Sequence, residues 1–233
     1  MATYVMSDVH GAYKKFLKML NDVKFSEKDT LYIVGDVVDR GPHSFHILDY
    51  IMNHDNVELL KGNHELFLQM YLSGDPQMEK NYAGFGGQEV MLELEHMPEE
   101  RKIKYLEFLR TLPLYKSIQC RHKSFLLTHS GYLENTIPIR KNKQNQVDIQ
   151  AMIQLWGEKY EYKYLISNDL HYLPDDLLFN NVLIVGHWPT LYAVGESGIY
   201  QCNKYINLDN GVGKIEGAQL ACLRLDDMES FYV

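Results

Sequence analysis

Five short apolar runs in this chain share one feature. Each is followed at once by a polar cluster carrying Asp, Asn or His, usually beside a glycine. TYVM (3–6) leads into SDVHG, TLYIV (30–34) into GDVVDRG, VELL (57–60) into KGNHE, SFLLT (124–128) into HSG, and NVLIV (181–185) into GHWP. Apolar runs of this length, bounded by turn residues, read as buried strands. Between the first three lie AYKKFLKMLNDV (12–23) and SFHILDYIM (44–52). The former places Tyr13, Phe16, Leu17, Leu20 and Val23 at helical spacing; the latter has Ser44 as its N-cap. Strand, helix, strand, helix, strand implies a parallel sheet with right-handed crossovers. Ligands of such sheets bind beyond the carboxyl ends of the strands, so clusters far apart in sequence converge there.

The remainder is read more coarsely. Residues 66–123 are expected to be mainly helical: HELFLQMYL runs toward Gly74 and Pro76, and RKIKYLEFLRTL (101–112) shows Ile103, Leu106 and Leu109 on one face before Pro113. Residues 133–180 are polar and tyrosine-rich, with RKNKQNQ as an exposed loop. YINL and AQLACLRL, separated by the turn signals DNG and EGA, supply further strands. With no repeat or low-complexity linker, residues 1–233 are expected to form one domain.

Composition narrows the partners. Lys+Arg 23 against Asp+Glu 31 gives a net charge of −8, which argues against nucleic acid as a partner. A small anionic substrate remains compatible, because bound cations reverse the field inside a cleft. Three widely spaced cysteines without a CxxC pair fit a reducing cytoplasm rather than a disulfide framework or thiolate zinc site. The opening MATYVMSDVHG does not read as a signal peptide, and no apolar run is long enough to span a bilayer. A cytoplasmic protein without a membrane or obligate protein partner is expected.

A turn or a helix cap accounts for each polar cluster taken alone, and Glu65 suits the positive end of a helix dipole. Together they place two Asp, one Asn and three His at strand ends: Asp8, His10, Asp36, Asn63, His129 and His187. Carboxylate, amide and imidazole without sulfur suit Mn, Fe or Zn. Six ligands exceed what one metal with an open position needs, and they suit two metals about 3.5–4 Å apart. Asp36 is then the natural bridge.

At these residues the sequence resembles the phosphoprotein phosphatase family of calcineurin-like metallophosphoesterases, closest to its short bacterial and bacteriophage members. The family pattern GD-x-HG, GD-x-x-DRG, GNHE, H-G and GH is present in order. Ser7 replaces the first glycine, and HSG carries an inserted serine. GFGG (84–87) and LPLY (112–115) also resemble the bacterial branch. The resemblance implies an α/β fold of two packed β-sheets flanked by helices, the four-layer sandwich. It implies that Asp8 and His10 hold one metal and Asn63, His129 and His187 the other, with Asp36 between them. Arg40, together with Asn63, would bind the phosphate, and His64 would be the general acid, oriented by Asp39. Two divalent ions (manganese in vitro) would lower the pKa of a shared water, and the resulting bridging hydroxide would attack phosphorus in line.

One departure stands out. The family carries a further arginine after a tryptophan in the segment that here reads LWGEKYEYKY (155–164), where this chain has none. Lys159 or Arg140 would have to replace it. The first reading is therefore a metal-dependent serine/threonine protein phosphatase, also active on small aryl phosphates. The alternatives are a dinucleoside polyphosphate hydrolase of the diadenosine tetraphosphate type, and an inactive metal-binding scaffold.

Overall fold

The computed structural model describes residues 1–130, 143–144, 146–148, 150–151, 154, 161–167 and 180–233. Strand β1 (Thr3–Met6) pairs in parallel with β2 (Thr30–Ile33), and β2 with β3 (Val57–Leu59). Helices α1 (Tyr13–Asp22) and α2 (Ser44–Met52) make the two crossovers. Two antiparallel strands from the C-terminal end, β9 (Ala221–Arg224) and β10 (Glu229–Tyr232), complete a sheet of order β10-β9-β1-β2-β3. The second sheet takes β4 (Tyr115–Cys120), β5 (Lys123–Thr128), β6 (Val182–Val185), β7 (Tyr200–Gln201) and β8 (Tyr205–Asn207). Its order is β4-β5-β6-β8-β7, with β5, β6 and β8 parallel.

Strand alternation explains the layering. Val5, Val34, Leu60, Phe125, Leu127, Ile184, Ile206 and Leu223 form one buried cluster between the sheets. Their neighbours point the other way. Tyr4, Met6, Leu31, Ile33 and Leu59 pack outward on Phe16, Met19, Ile47 and Leu48 of the crossover helices. Leu126, Leu183, Val185 and Tyr205 pack outward on Tyr164 and Leu165. The inner strands β1, β5 and β6 are thus buried on both faces over most of their length, which is why they read as continuous apolar runs. Two sheets with helices outside them is the expected architecture.

The helical middle comprises α3 (Asn63–Leu72), α4 (Pro76–Asn81), a 3-10 turn (Tyr82–Phe85), α5 (Gln88–Glu95) and α6 (Glu99–Thr111). A short α7 (Thr190–Val194) follows β6.

Several local expectations are corrected. The helical middle ends at Thr111, and 115–120 is a strand paired with β5, because Pro113 stops α6 and the two strands form a hairpin over residues 121–122. In α1 Leu17 is 40% exposed while Met19 is fully buried, since the helix turns Phe16, Met19 and Leu20 onto the sheet. In α6 Ile103 is exposed and Tyr105 and Leu109 are buried. Ser44 is the first helical residue rather than the cap, and its hydroxyl accepts a hydrogen bond from Asp39 N–H at 3.0 Å. Arg140, Lys159, His171 and most of RKNKQNQ lie outside the described residues. Among the described residues no helix is long and apolar enough to cross a membrane.

Candidate active site

The loops after β1 and β2 lie against each other. Asp8 N–H donates to Gly35 C=O (3.1 Å), His10 N–H to Asp36 C=O (3.0 Å) and Gly11 N–H to Val37 C=O (2.9 Å). The GNHE turn is tied to them by Glu65, fully buried at the start of α3. Its carboxylate accepts from the backbone N–H groups of Asp36 (2.7 Å), Val37 (2.8 Å) and Gly62 (2.8 Å). Burial, with the Asp36 charge adding to it, pushes Glu65 up to about 7. Two glycines are sterically required: a Cβ on Gly62 would lie 2.2 Å from Asp36 Oδ1, and one on Gly186 2.2 Å from Asp8 Oδ2.

Side chains here sit on strained backbone. Among the described residues, nine non-glycine positions have positive φ, and six of these are Asp8, His10, Asp36, Asp39, Arg40 and His187. Such conformations cost about 1–3 kcal/mol each and persist where surrounding structure over-determines them. Here the interlocked loops impose them, and they aim the side chains to a common point.

The two sheets meet at that point. Asn63 Oδ1 lies 3.0 Å from His129 Nε2 and 2.8 Å from His187 Nδ1. Asp36 Oδ1 lies 3.4 Å from His129 Nε2, and its Oδ2 lies 3.7 Å from His10 Nε2 and 3.9 Å from His64 Nε2. Asp8 Oδ1 is 3.9 Å from His10 Nε2, and Asp8 Oδ2 accepts the backbone N–H of His187 at 3.0 Å. All six strand-end ligand candidates are therefore brought together, with Asp36 facing both groups. His10, Asp36 and His64 form one cluster of donor atoms, and Asp36, His129 and His187 a second. The inclusion of His64 in the first cluster differs from the sequence expectation, which had Asp8 there; Asp8 borders it through His10.

Tautomers test whether this set fits metal ions. His10 Nδ1 donates to Val38 C=O (2.9 Å) and His129 Nδ1 to Val34 C=O (2.8 Å). Each neutral ring then turns its Nε2 lone pair inward. The Nε2 of His129 faces the oxygens of Asn63 and Asp36, so three acceptor atoms confront one another and need a cation among them. Backbone carbonyls behind histidines are the usual support of metal-binding imidazoles, and the donors are oxygen and nitrogen without sulfur. Burial opposes charge on His129, but the Asp36 carboxylate raises it to about 10, and it helps hold Asp36 well below the usual carboxylate range. Burial, reinforced by neighbouring cationic groups, holds His10 and His187 well below the ordinary imidazole value. The set fits divalent metal.

Beside this cluster runs a second chain of contacts. Arg40 directs one terminal nitrogen to His10 Nε2 and the other to His64 Nε2, the latter at 2.8 Å. His64 Nδ1 donates to Asp39 Oδ2 at 2.7 Å, and the buried Tyr82 hydroxyl donates to Asp39 Oδ1 at 2.5 Å. Burial, then Asp39, pushes the Tyr82 phenol well up, so it stays a donor. Arg40, Asn63 and His64 line one cavity with Phe67, Gly84, Phe85, Gly86 and Gly213. His43, His46, His54, His96 and His122 join neither cluster: His46 packs on Tyr13, and His54 bonds Tyr50 C=O.

Sequence reasoning missed Tyr82 and Asp209. Asp209 is fully buried next to Asp8, and burial followed by the Asp8 charge raises it well above the usual range. Its signal was present, since Asp209 follows the apolar run YINL as the other clusters follow theirs. Tyr82 had no signal beyond lying two residues before GFGG.

A family model described as calcineurin-like phosphoesterase matches residues 1–215. The chain belongs to the calcineurin-like phosphoesterase family. Its members are metal-dependent phosphoester hydrolases, which accords with the metal-ready donor set. A symmetrical bis(5'-nucleosyl)-tetraphosphatase of Escherichia coli O17:K52:H18 is 31% identical over 155 residues, 66% of this chain and 51% of that protein. The chain thus spans about half the length of the curated relatives it matches. Among solved structures, a cold-active protein-tyrosine phosphatase of a Shewanella species superposes with a TM-score of 0.59 at 18% identity, over 99% of this chain and 79% of the other. A protein serine/threonine phosphatase of Saccharomyces cerevisiae also gives 0.59, at 17% identity, over 97% and 72%. At these identities the two structures speak for the fold alone.

Proposed function

We propose that the protein is a metal-dependent phosphomonoesterase acting on phosphoserine or phosphothreonine in proteins. One observation carries this reading: the Asp36-centred donor set stands next to an Arg40–His64–Asp39 chain, and Arg40, Asn63 and His64 line one cavity. Asp8, His10 and Asp36 would hold one ion, and Asp36, Asn63, His129 and His187 the other. When bound, such ions lower the pKa of water and neutralise charge on the phosphoryl group. Arg40 supplies a planar fork suited to two phosphate oxygens. Its two terminal nitrogens are directed toward His10 and His64.

His64 is the proposed proton donor to the leaving oxygen. Its Nδ1–H is committed to Asp39, which leaves Nε2 as the atom that carries the transferred proton. Asp39 steadies the ring and the positive charge it carries as an acid. Glu65, with three backbone N–H groups on its carboxylate, keeps Asp36 and the GNHE turn in register. At the cavity rim Gly84 faces open space, which leaves room there for a leaving group attached to a polypeptide.

A second reading, hydrolysis of dinucleoside polyphosphates, is favoured by the named activity of the E. coli relative. Incubating the manganese-loaded protein with a phosphoserine peptide and with diadenosine tetraphosphate separates the two. Faster phosphate release from the peptide supports the first, cleavage of the nucleotide alone supports the second, and inertness toward both points to a scaffold.

A further inference from the structure

The turn between β8 and β9 spans the two ligand clusters. It is anchored from below, where Gly211 N–H donates to Asp209 Oδ1 at 2.8 Å. Gly211 C=O then accepts from the backbone N–H groups of Lys214 (3.0 Å) and Ile215 (2.8 Å). Gly211 and Gly213 both have positive φ, at 85° and 77°, which lets the turn fold this tightly. Gly213 lies against the first cluster: a Cβ there would sit 3.0 Å from His10 Cβ and 3.1 Å from Arg40 Cβ. It lines the same cavity as Arg40 and His64.

The next residue, Lys214, reaches the second cluster. Its ammonium donates to His187 C=O at 3.4 Å, and its charge bears on Asp8, Asp209 and the His187 ring. That bond is long for N–H···O, and an ammonium carries three donors. Among the described residues no ion pair engages the others, although Lys214 is exposed. Nor is a protein counterion ready for it. Asp8 and Asp36 would be spent on metal, and Asp209 is buried with one oxygen held by Gly211 N–H.

Resting on the phosphomonoesterase reading, we infer that Lys214 is a second phosphate-binding cation, which together with Arg40 selects the phosphomonoester dianion. Arg40 approaches from the side of His10 and His64, and Lys214 from the side of His187. A tetrahedral phosphoryl group between the clusters meets both. The planar fork of an arginine suits two oxygens, whereas a lysine is a point charge on a flexible stem and suits a single further one. A monoester dianion offers three terminal oxygens and two charges. A diester offers two oxygens and one charge, so it has less to give a second cation.

The test uses the manganese-loaded full chain with Lys214→Met, which keeps the stem and removes the charge, and Lys214→Arg, which keeps the charge. By calorimetry, Lys214→Met is expected to bind the methylphosphonate dianion about tenfold more weakly than wild type, the size of a charge-assisted hydrogen bond, while Lys214→Arg regains most of the affinity. In parallel, the ratio of kcat/KM for a phosphoserine peptide over bis(4-nitrophenyl) phosphate falls about tenfold in Lys214→Met. Elemental analysis shows wild-type manganese content in both variants. Unchanged phosphonate binding and an unchanged ratio make Lys214 a solvated cap on the His187 carbonyl and overturn the inference, with the phosphatase reading intact. Loss of manganese in Lys214→Met overturns it too, by assigning the lysine to the support of His187. Phosphonate binding that depends on Lys214 in a protein that hydrolyses neither ester overturns the phosphatase reading and leaves the anion contact standing.

Discussion

Tyr82 donates its hydroxyl to Asp39 Oδ1 across 43 residues of sequence, while Asp39 Oδ2 takes the ring N–H of His64. Both carboxylate oxygens are thus occupied, and neither donor is exposed to solvent. Tyr82→Phe keeps the ring packing and removes only the donor. Because hydrogen bonds to charged groups are worth about 1.5–3 kcal/mol, chemical denaturation is expected to show a loss of that size. Metal content stays at the wild-type level. Turnover of a phosphoserine peptide falls, though by less than in a His64 variant. A Tyr82→Phe protein as stable and as active as wild type would make the contact incidental.

Asp36 faces both groups of candidate ligands, so Asp36→Asn is expected to weaken both metal sites. Elemental analysis of the wild type at saturation gives two ions per chain; the variant gives fewer than one under the same conditions. A single ion in the saturated wild type would dismantle the dinuclear reading.

General acid catalysis contributes about 10²–10⁴-fold when the leaving group is poor. His64→Asn is therefore expected to damage phosphoserine peptide hydrolysis far more than nitrophenyl phosphate hydrolysis, because nitrophenolate departs without a proton. Asp39→Asn shows the same bias more weakly. Equal losses on both substrates, with chemistry limiting each rate, would move His64 from proton donor to phosphate binding.

Glu65 satisfies three buried backbone N–H groups at once. Truncation strands them, and an unsatisfied buried donor costs about 1–3 kcal/mol. Glu65→Ala is expected to lose at least about 3 kcal/mol by denaturant titration, and to lose metal affinity as the Asp36 loop loosens. A variant within about 0.5 kcal/mol of wild type, the range of ordinary surface substitutions, would show that water replaces the carboxylate.

Divalent metal is expected to stabilise the fold, since Asp8, Asp36, Glu65 and Asp209 are all buried, and the Asp36 charge bears on each of the other three. At a free concentration one hundredfold above Kd, a single ion binding only the native state adds about 2.7 kcal/mol. For a chain of this size that is a rise of roughly 5–11 °C in Tm. Thermal scans with manganese and with a chelator measure it, and coincident curves would mean that the ions do not bind the native site.

The strand-end residues were legible because the apolar runs of β1, β5 and β6 are buried on both faces over most of their length and each cluster follows its run immediately. Local order in the chain therefore dictated that Asp8, Asp36, Asn63, His129 and His187 would lie at strand ends, whatever the strand order. Which atoms face one another is a tertiary matter. The strand bearing His129 belongs to the other sheet, and only the packing of the two sheets sets its Nε2 3.0 Å from Asn63 Oδ1. Tyr82 was illegible for the same reason. A phenol's partner depends on where a short turn docks, and no periodicity in the sequence encodes that. Asp209 stands between the two cases: its strand-end position was readable, but its burial against Asp8 follows from β8 lying beside β6 in the second sheet.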